Sequence, residues 1–159
     1  MAIKRMDHVG IVVSDLDAAT AFFVELGFEE QGSGRVGGDL VARIVGLPGV
    51  QSDFAMLKTP DGLHGIELIR FVSPSVLDGA SQAPANSLGL RHVCFEVDDI
   101  HDVVGRLEQH GGELIGEIVD YEGFYLLCYL RGPEGIIVEL AQAVGASEQA
   151  QERLTAHIR

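Results

Sequence analysis

The sequence predicts an α+β chain in which one β-α-β-β-β unit is used twice in tandem, and three observations carry that prediction. The first is an internal repeat. DHVGIVVSDLDAATAFFVELGFE, from Asp7, lies without a gap on RHVCFEVDDIHDVVGRLEQHGGE, from Arg91. His8 falls on His92, Val13 on Val97, Asp15 on Asp99, Leu16 on Ile100 and Gly27 on Gly111. The second is the order inside each copy, a β-branched apolar run followed by a capped helix. The third is the way each copy closes, because PDGLHGIEL (from Pro60) and PEGIIVEL (from Pro133) are both a turn leading into a strand that carries a Glu.

In the first copy His8 to Val13 reads as a strand, and Ser14-Asp15 supplies an N-cap before Leu16. Leu16, Ala19, Phe23 and Leu26 recur at helical spacing, and Gly27 stops the helix. Strand character then returns over roughly 35–45, 50–58 and 65–71. In the second copy Asp98-Asp99 is the cap. Ile100, Val103, Val104 and Leu107 form the stripe, Gly111-Gly112 ends it, and strands are expected over roughly 114–119, 124–130 and 135–140. Between His and Glu the first copy spans 59 positions (67 − 8) and the second 47 (139 − 92), and the Gly-rich stretch 32–49 is the natural place for the excess.

These spans give one domain, 1–159, of two modules, 6–72 and 90–142. A Pro-, Ser-, Ala- and Gly-containing linker, 73–89, joins them, and the tail, 143–159, is read as a short surface helix or frayed end. The length suits a single domain that folds without staples. Hydrophobic residues make up 47% and charged residues 22%, a globular composition. No apolar run approaches the roughly 20 residues that span a bilayer, and MAIKRMDHVG has no apolar core of a signal peptide. The expectation is a cytoplasmic protein without a membrane partner. A formal charge of −13 repels phosphate backbones and argues against nucleic acid. The two cysteines, Cys94 and Cys128, lie in apolar stretches and read as buried thiols in a reducing compartment.

The chemistry-bearing residues sit inside the repeat. Strand alternation puts Gly10 and Val12 on the face of His8, Cys94 and Glu96 on the face of His92, Ile69 and Phe71 on that of Glu67, and Ile137 on that of Glu139. A carboxylate in GIELIRF or IIVELAQ has aliphatic neighbours on both sides, so it must reach water, a cation or a metal. One such His or Glu would ordinarily be a satisfied core or surface residue. Apolar strands could have repeated without repeating the polar residues embedded in them, however. Two His and two Glu at equivalent places in twofold-related sheets are expected to converge on one divalent metal, with His8, Glu67, His92 and Glu139 as ligands. His64, His101, His110 and His157 read as surface residues, and Phe124, Tyr125 and Tyr129 as aromatic packing or pocket lining.

DHVGIVVSDLDAATAFFVELGF, GIELIRF, LRHVCFEVDDI and GPEGIIVEL resemble the vicinal oxygen chelate superfamily, which includes glyoxalase I, methylmalonyl-CoA epimerase, fosfomycin-resistance transferases, bleomycin-binding proteins and extradiol dioxygenases. The resemblance covers Asp7 to Gln142 and is specific to the superfamily, not to one reaction. It implies βαβββ modules paired as a half-open barrel around the metal, and commonly a homodimer. The complete His-Glu-His-Glu set resembles glyoxalase I most closely. That implies a Zn, Ni, Co, Fe or Mn cofactor and an isomerase or lyase moving a proton next to a carbonyl on a small-molecule substrate, with Glu139 or Glu67 as base.

Two positions depart from glyoxalase I. Val12 stands where it has an Arg four residues after the first His, and Phe71 where it has an Asn four residues after the first Glu. Both changes remove polar anchors, which argues against a glutathione hemithioacetal. Val12, Phe71, Glu96 and Tyr125 are the expected substrate-facing residues. A methylmalonyl-CoA epimerase-like enzyme, an Fe(II) dioxygenase of the extradiol type and a non-catalytic binding or resistance protein stand as alternatives.

Overall fold

The computed structural model describes residues 5–77, 79 and 81–144. The chain divides into two compact units, Met1–Gly79 and Ala80–Arg159, and each is an open four-stranded sheet with a helix packed on one face. The first unit runs β1 (His8–Val12), α1 (Leu16–Leu26), β2 (Glu29–Gly37), α2 (Asp39–Val45), β3 (Gln51–Lys58) and β4 (Gly65–Ser73). Its sheet order is β1-β4-β3-β2, with β1 parallel to β4 and the other pairs antiparallel. The second unit runs β5 (His92–Glu96), α3 (Ile100–Glu108), β6 (Glu113–Tyr121), β7 (Tyr125–Arg131) and β8 (Ile137–Ala143). Its order is β5-β8-β7-β6 with the same pairing senses. The repeat seen in the sequence is a repeat of topology, two tandem modules of an α+β fold.

Both helices begin where the sequence places them, and α1 ends at Gly27 as expected, whereas α3 ends at Glu108 with Gln109 as its C-cap, before Gly111. The Asp15 carboxylate accepts from Ala18 N at 2.9 Å and that of Asp99 from Asp102 N at 3.0 Å, each satisfying a donor that the first helical turn leaves orphaned. Ala19, Phe22, Phe23 and Leu26 of α1 are buried, and Leu16 is half-buried. They lie over Ala55, Leu57, Ile66 and Leu68, all buried on one face of β3 and β4. Phe23 stands edge-on between Phe22 and Phe28, with ring centroids 5.3 and 5.8 Å away. In the second unit Ile100, Val103, Val104 and Leu107 cover Cys128, Leu130, Val138 and Leu140 in the same way. Each fully buried aliphatic or aromatic side chain contributes about 1.5–3 kcal/mol.

Two expectations need correction. The segment 35–45 is not one strand: β2 ends at Gly37, Gly38 turns with φ 88°, and DLVARIV forms α2. Its β-branched residues suggested a strand, but an acidic first residue and Gly46 in the left-handed conformation bracket one helical stretch. This added helix falls in the Gly-rich stretch that makes the first copy longer. Cys94 is exposed on β5, whereas Cys128 is buried, and both thiols are free. The expected tail helix and His157 lie outside the described residues.

Among the described residues, 74–89 contain neither helix nor strand. Part of this segment is fastened to the second unit. Arg131 Nη1 donates to Ser81 O at 2.9 Å, and Arg91 Nη2 donates to Ala83 O at 3.2 Å. Gly135 has φ 78°, and a Cβ there would collide with the Ser81 backbone. In the first unit Asp53 ties the polar edge strand inward, its carboxylate accepting from Arg35 Nε at 2.6 Å and Arg70 Nη2 at 2.6 Å. Those two guanidiniums hold its carboxyl well below the ordinary value of 3.8.

Opposite outcomes are expected at two glycines. Gly135→Ala should cost about 2 kcal/mol or more in urea unfolding, from left-handed strain plus collision. Gly105→Ala, in α3 with open space around its added Cβ, should stabilise by about 0.5–1 kcal/mol. Because the folded-state pKa of Asp53 is depressed, its contribution is complete above the unfolded value and is lost as pH falls below it. Asp53→Asn should therefore lower the melting temperature at pH 7 and reduce the further loss seen on acidification below pH 3.8.

Candidate functional site

Register builds the site in each unit. In the parallel pair β1/β4, His8 stands opposite Gly65, Gly10 opposite Glu67 and Val12 opposite Ile69. Opposed residues share a face, so His8 and Glu67 project from the side away from α1, offset by two residues. The β5/β8 pair repeats this, with His92 opposite Ile137 and Cys94 opposite Glu139. The result is the same contact twice. His8 Nε2 lies 3.4 Å from Glu67 Oε2, and His92 Nε2 lies 3.0 Å from Glu139 Oε2. All four side chains are partly open to solvent, Glu67 more so at 29% than Glu139 at 20%.

The outer nitrogens of the two imidazoles are held differently. His8 Nδ1 lies 3.0 Å from Asp7 Oδ2, and Asp7 Oδ1 accepts from Arg5 Nη2 at 2.7 Å. Hydrogen bonds from His8 first and Arg5 second lower the Asp7 carboxyl below its usual range. His8 thus has a carboxylate at each ring nitrogen, and a neutral imidazole has one N–H to offer. With Nδ1–H given to Asp7, the Nε2 lone pair faces Glu67 oxygen, an arrangement suited to a cation between them. His92 Nδ1 instead meets the Tyr129 hydroxyl at 3.3 Å, with the rings tilted by 37°. A hydroxyl both donates and accepts, so Nε2 of His92 can either donate to Glu139 or present a lone pair.

Glu139 has further company. Cys94 and Tyr129 are its opposed residues on β5 and β7. Burial, then the charge of Glu139, pushes the Cys94 thiol up to about 11. Burial, then Glu139, also raises the Tyr129 phenol. Both groups therefore stay protonated as potential donors at neutral pH.

The donor set passes a chemical test for a divalent metal: each unit aims an imidazole nitrogen and a carboxylate oxygen at one another from rigid strands, with an outer-nitrogen partner on each imidazole, as metal-binding histidines usually have. Among the described residues, no group of three or more His, Cys, Asp and Glu side chains is placed to hold a metal ion. Val12 is exposed two residues beyond Gly10 on the His8 face. Phe71 is half-buried and lines a shallow cleft with Ser14, Arg70, Val72 and Val76. Glu96 is exposed opposite Ala141, and Tyr125 is buried. Sequence reasoning missed Asp7, Cys94 and Tyr129 as partners of the four candidates. The acid directly before His8 was a visible signal, whereas the role of Tyr129 depends on the β7/β8 register.

A family model described as the Glyoxalase/Bleomycin resistance protein/Dioxygenase superfamily matches residues 7–129. The uncharacterized protein YwbC of Bacillus subtilis (strain 168) is 31% identical over 141 residues, covering 87% of this chain and 98% of that protein. The crystal structure of a glyoxalase family protein from Bacillus cereus is similar at 46% identity with a TM-score of 0.87, covering 91% of this chain and 99% of that one. A mutant of the fosfomycin resistance protein FosX from Listeria monocytogenes, solved with Mn(II) and a dihydroxypropylphosphonic acid, matches at 17% identity with a TM-score of 0.58, over 96% and 98% of the two chains. That last likeness is one of fold.

The carboxylates of Asp7 and Glu67 both only accept, and the shorter contact to Asp7, 3.0 Å against 3.4 Å, should favour the Nδ1–H tautomer of His8 in metal-free protein at pH 8. Long-range ¹H–¹⁵N spectra should show this, and Asp7→Asn should raise the Nε2–H fraction. An unchanged tautomer ratio in the variant would show that the contact does not set the proton's position.

Proposed function

We propose, for a chain that belongs to the glyoxalase/bleomycin resistance protein/dioxygenase superfamily, a metal-dependent isomerase or lyase of the glyoxalase type that moves a proton next to a carbonyl on a small substrate. The observation that carries this reading is the Nε2–Oε2 pair built twice in one register. His8, Glu67, His92 and Glu139 would together hold one divalent ion from the series Zn, Ni, Co, Fe and Mn. When bound, such an ion supplies Lewis acidity that makes the C–H beside a carbonyl easier to deprotonate.

The chain's own residues do the rest. Asp7 and Tyr129 hold the outer nitrogens of the imidazoles, orienting the inner ones. A glutamate, Glu67 or Glu139, accepts the proton and returns it to the same carbon or, on an α-hydroxy carbonyl whose hydroxyl proton moves to the former carbonyl oxygen, to the neighbouring carbon. Val12 and Phe71 would present apolar surface to the substrate, and Glu96 a carboxylate that disfavours anionic groups near it, whereas the buried Tyr125 is not open to one. With Val12 and Phe71 offering no guanidinium or amide, a moderately apolar carbonyl compound fits better than a glutathione adduct. A cytoplasmic homodimer without nucleic-acid or membrane partners completes the reading.

Metal analysis of protein purified without a histidine tag should find about one divalent ion per chain, and His8→Ala or His92→Ala should strip most of it. Solvent deuterium should enter carbonyl substrates only in the loaded protein. Iron accompanied by oxygen uptake would instead point to ring cleavage. Protein that takes up no ion under either aerobic or anaerobic conditions would leave a binding module.

A further inference from the structure

We infer that Arg91 and Arg131 form a binding site for an oxyanion, the carboxylate or phosphate group of a small molecule, and that the backbone of 81–83 caps this site as a displaceable stand-in. The inference concerns the second unit alone and depends neither on a metal nor on the reaction proposed above.

The two guanidiniums come from different strands and meet at one atom. Arg91 directly precedes β5 and Arg131 ends β7, yet Nη2 of each donates to the Ala83 carbonyl, at 3.2 and 3.3 Å. Arg131 Nη1 donates to Ser81 O at 2.9 Å and to Gly135 O at 3.4 Å. Every acceptor is a neutral peptide oxygen. Carboxylates are not scarce in this chain, with 24 Asp and Glu against 11 Lys and Arg, and Arg5, Arg35, Arg70 and Arg106 each pair with an aspartate. Among the described residues Arg91 and Arg131 pair with none, although Glu113 stands opposite Arg131 on β6. Two half-buried positive charges that share one neutral oxygen favour an anion at that point.

The geometry of Arg91 says what kind of anion. Nε and Nη2 form one edge of a guanidinium and suit two oxygens spaced as in a carboxylate or phosphate. On Arg91 that edge is half filled, because Nη2 has the Ala83 oxygen while Nε is buried without a hydrogen-bond partner. A buried N–H left in this way is rare and costly. A peptide carbonyl has a single oxygen to offer. A carboxylate or phosphate in its place gives one oxygen to Nε and a second to the two Nη2 groups, so the edge is completed and both charges are met.

The cap is built to be exchanged. Ser81 and Gln82 are exposed, and 81–83 belong to neither helix nor strand. Arg131, Ile137 and His92 form one row across β7, β8 and β5, two strand spacings or about 10 Å from end to end. A molecule held by its anion at Arg131 therefore lies along the face that carries His92.

Titration of metal-free protein with inorganic phosphate and, separately, with acetate tests the site, followed through the ¹H–¹⁵N signals of the backbone and of the arginine Nε–H groups. Saturable shifts are expected at Arg91 Nε–H and at the amides of Ser81, Gln82 and Ala83, with half-saturation at about 1 mM for the better anion. Whichever of the two saturates first names the class of ligand. Arg91→Ala and Arg131→Ala should each weaken binding by about 10- to 100-fold. Arg91→Lys keeps the charge and the fold but loses the two-nitrogen edge, and should also weaken it. Ala83→Gly, which loosens the cap, should tighten binding by about two- to fivefold, and Arg43→Ala, which removes the same charge from α2, should stay within about twofold of the wild type. Neither anion saturating by about 50 mM, wild-type affinity in Arg91→Lys, or shifts confined to residues other than 81–83, 91 and 131 would each overturn the inference, and none of these results bears on metal uptake.

Discussion

The register of two parallel strand pairs, β1 with β4 and β5 with β8, is the constraint on which the site depends. In each, the glutamate lies two residues past the position opposite the histidine. That offset on one face brings Nε2 and Oε2 together, and a slip by one residue would send the glutamate into the helix-packed layer. The buried partners prevent the slip. Ile66 and Leu68 flank Glu67, Val138 and Leu140 flank Glu139, and all four are at most 2% exposed. Each glutamate is held in place by aliphatic side chains pointing the opposite way, so the core under the helix sets the geometry of the polar face above it.

The same alternation explains why so much was legible beforehand. A residue period of two marks the faces of β1, β4, β5 and β8, and a spacing of three or four marks α1 and α3, whose Asp15 and Asp99 caps have one dominant use. Repetition supplied what periodicity alone could not, since it singled out the four polar residues that recur. Where a segment draws its structure from a neighbour, the signal fades. All nine residues of β2 are exposed, and it carries Gly32, Gly34 and Gly37, so only its backbone pairing with β3 makes it a strand. DLVARIV has the β-branched content of a strand and the bracketing of a helix, and the bracketing prevailed.

The partners of the histidines were harder to read for a related reason. Asp7 touches His8 through chain adjacency, visible in one dimension. Tyr129 reaches His92 from 37 residues away, and its place follows from the β7/β8 register. An aromatic in a strand is ordinarily packing, and nothing in the periodicity of YLLCYLR separates Tyr129 from Tyr125, of which the first meets a histidine and the second is buried. Cys94 was read as buried because its sequence neighbours are apolar, yet it lies on the parity of His92, the open face. Parity, not local composition, decides exposure in a strand covered on one side only.

A duplicated unit starts with two equal His–Glu pairs, and here the two pairs are no longer equal. Both histidines and both glutamates are kept in the two units, so the difference between the units lies in the residues beside them. The cross-sheet rows are where the two units differ in this way, with a thiol and a phenol beside one carboxylate and a glycine and a thioether beside the other. Such changes leave the strand register and the helix-packed core untouched, because every residue involved faces away from the helix. A symmetric scaffold can therefore become chemically asymmetric at little cost to folding, and the row beside each glutamate is the place in this fold where the two units diverge.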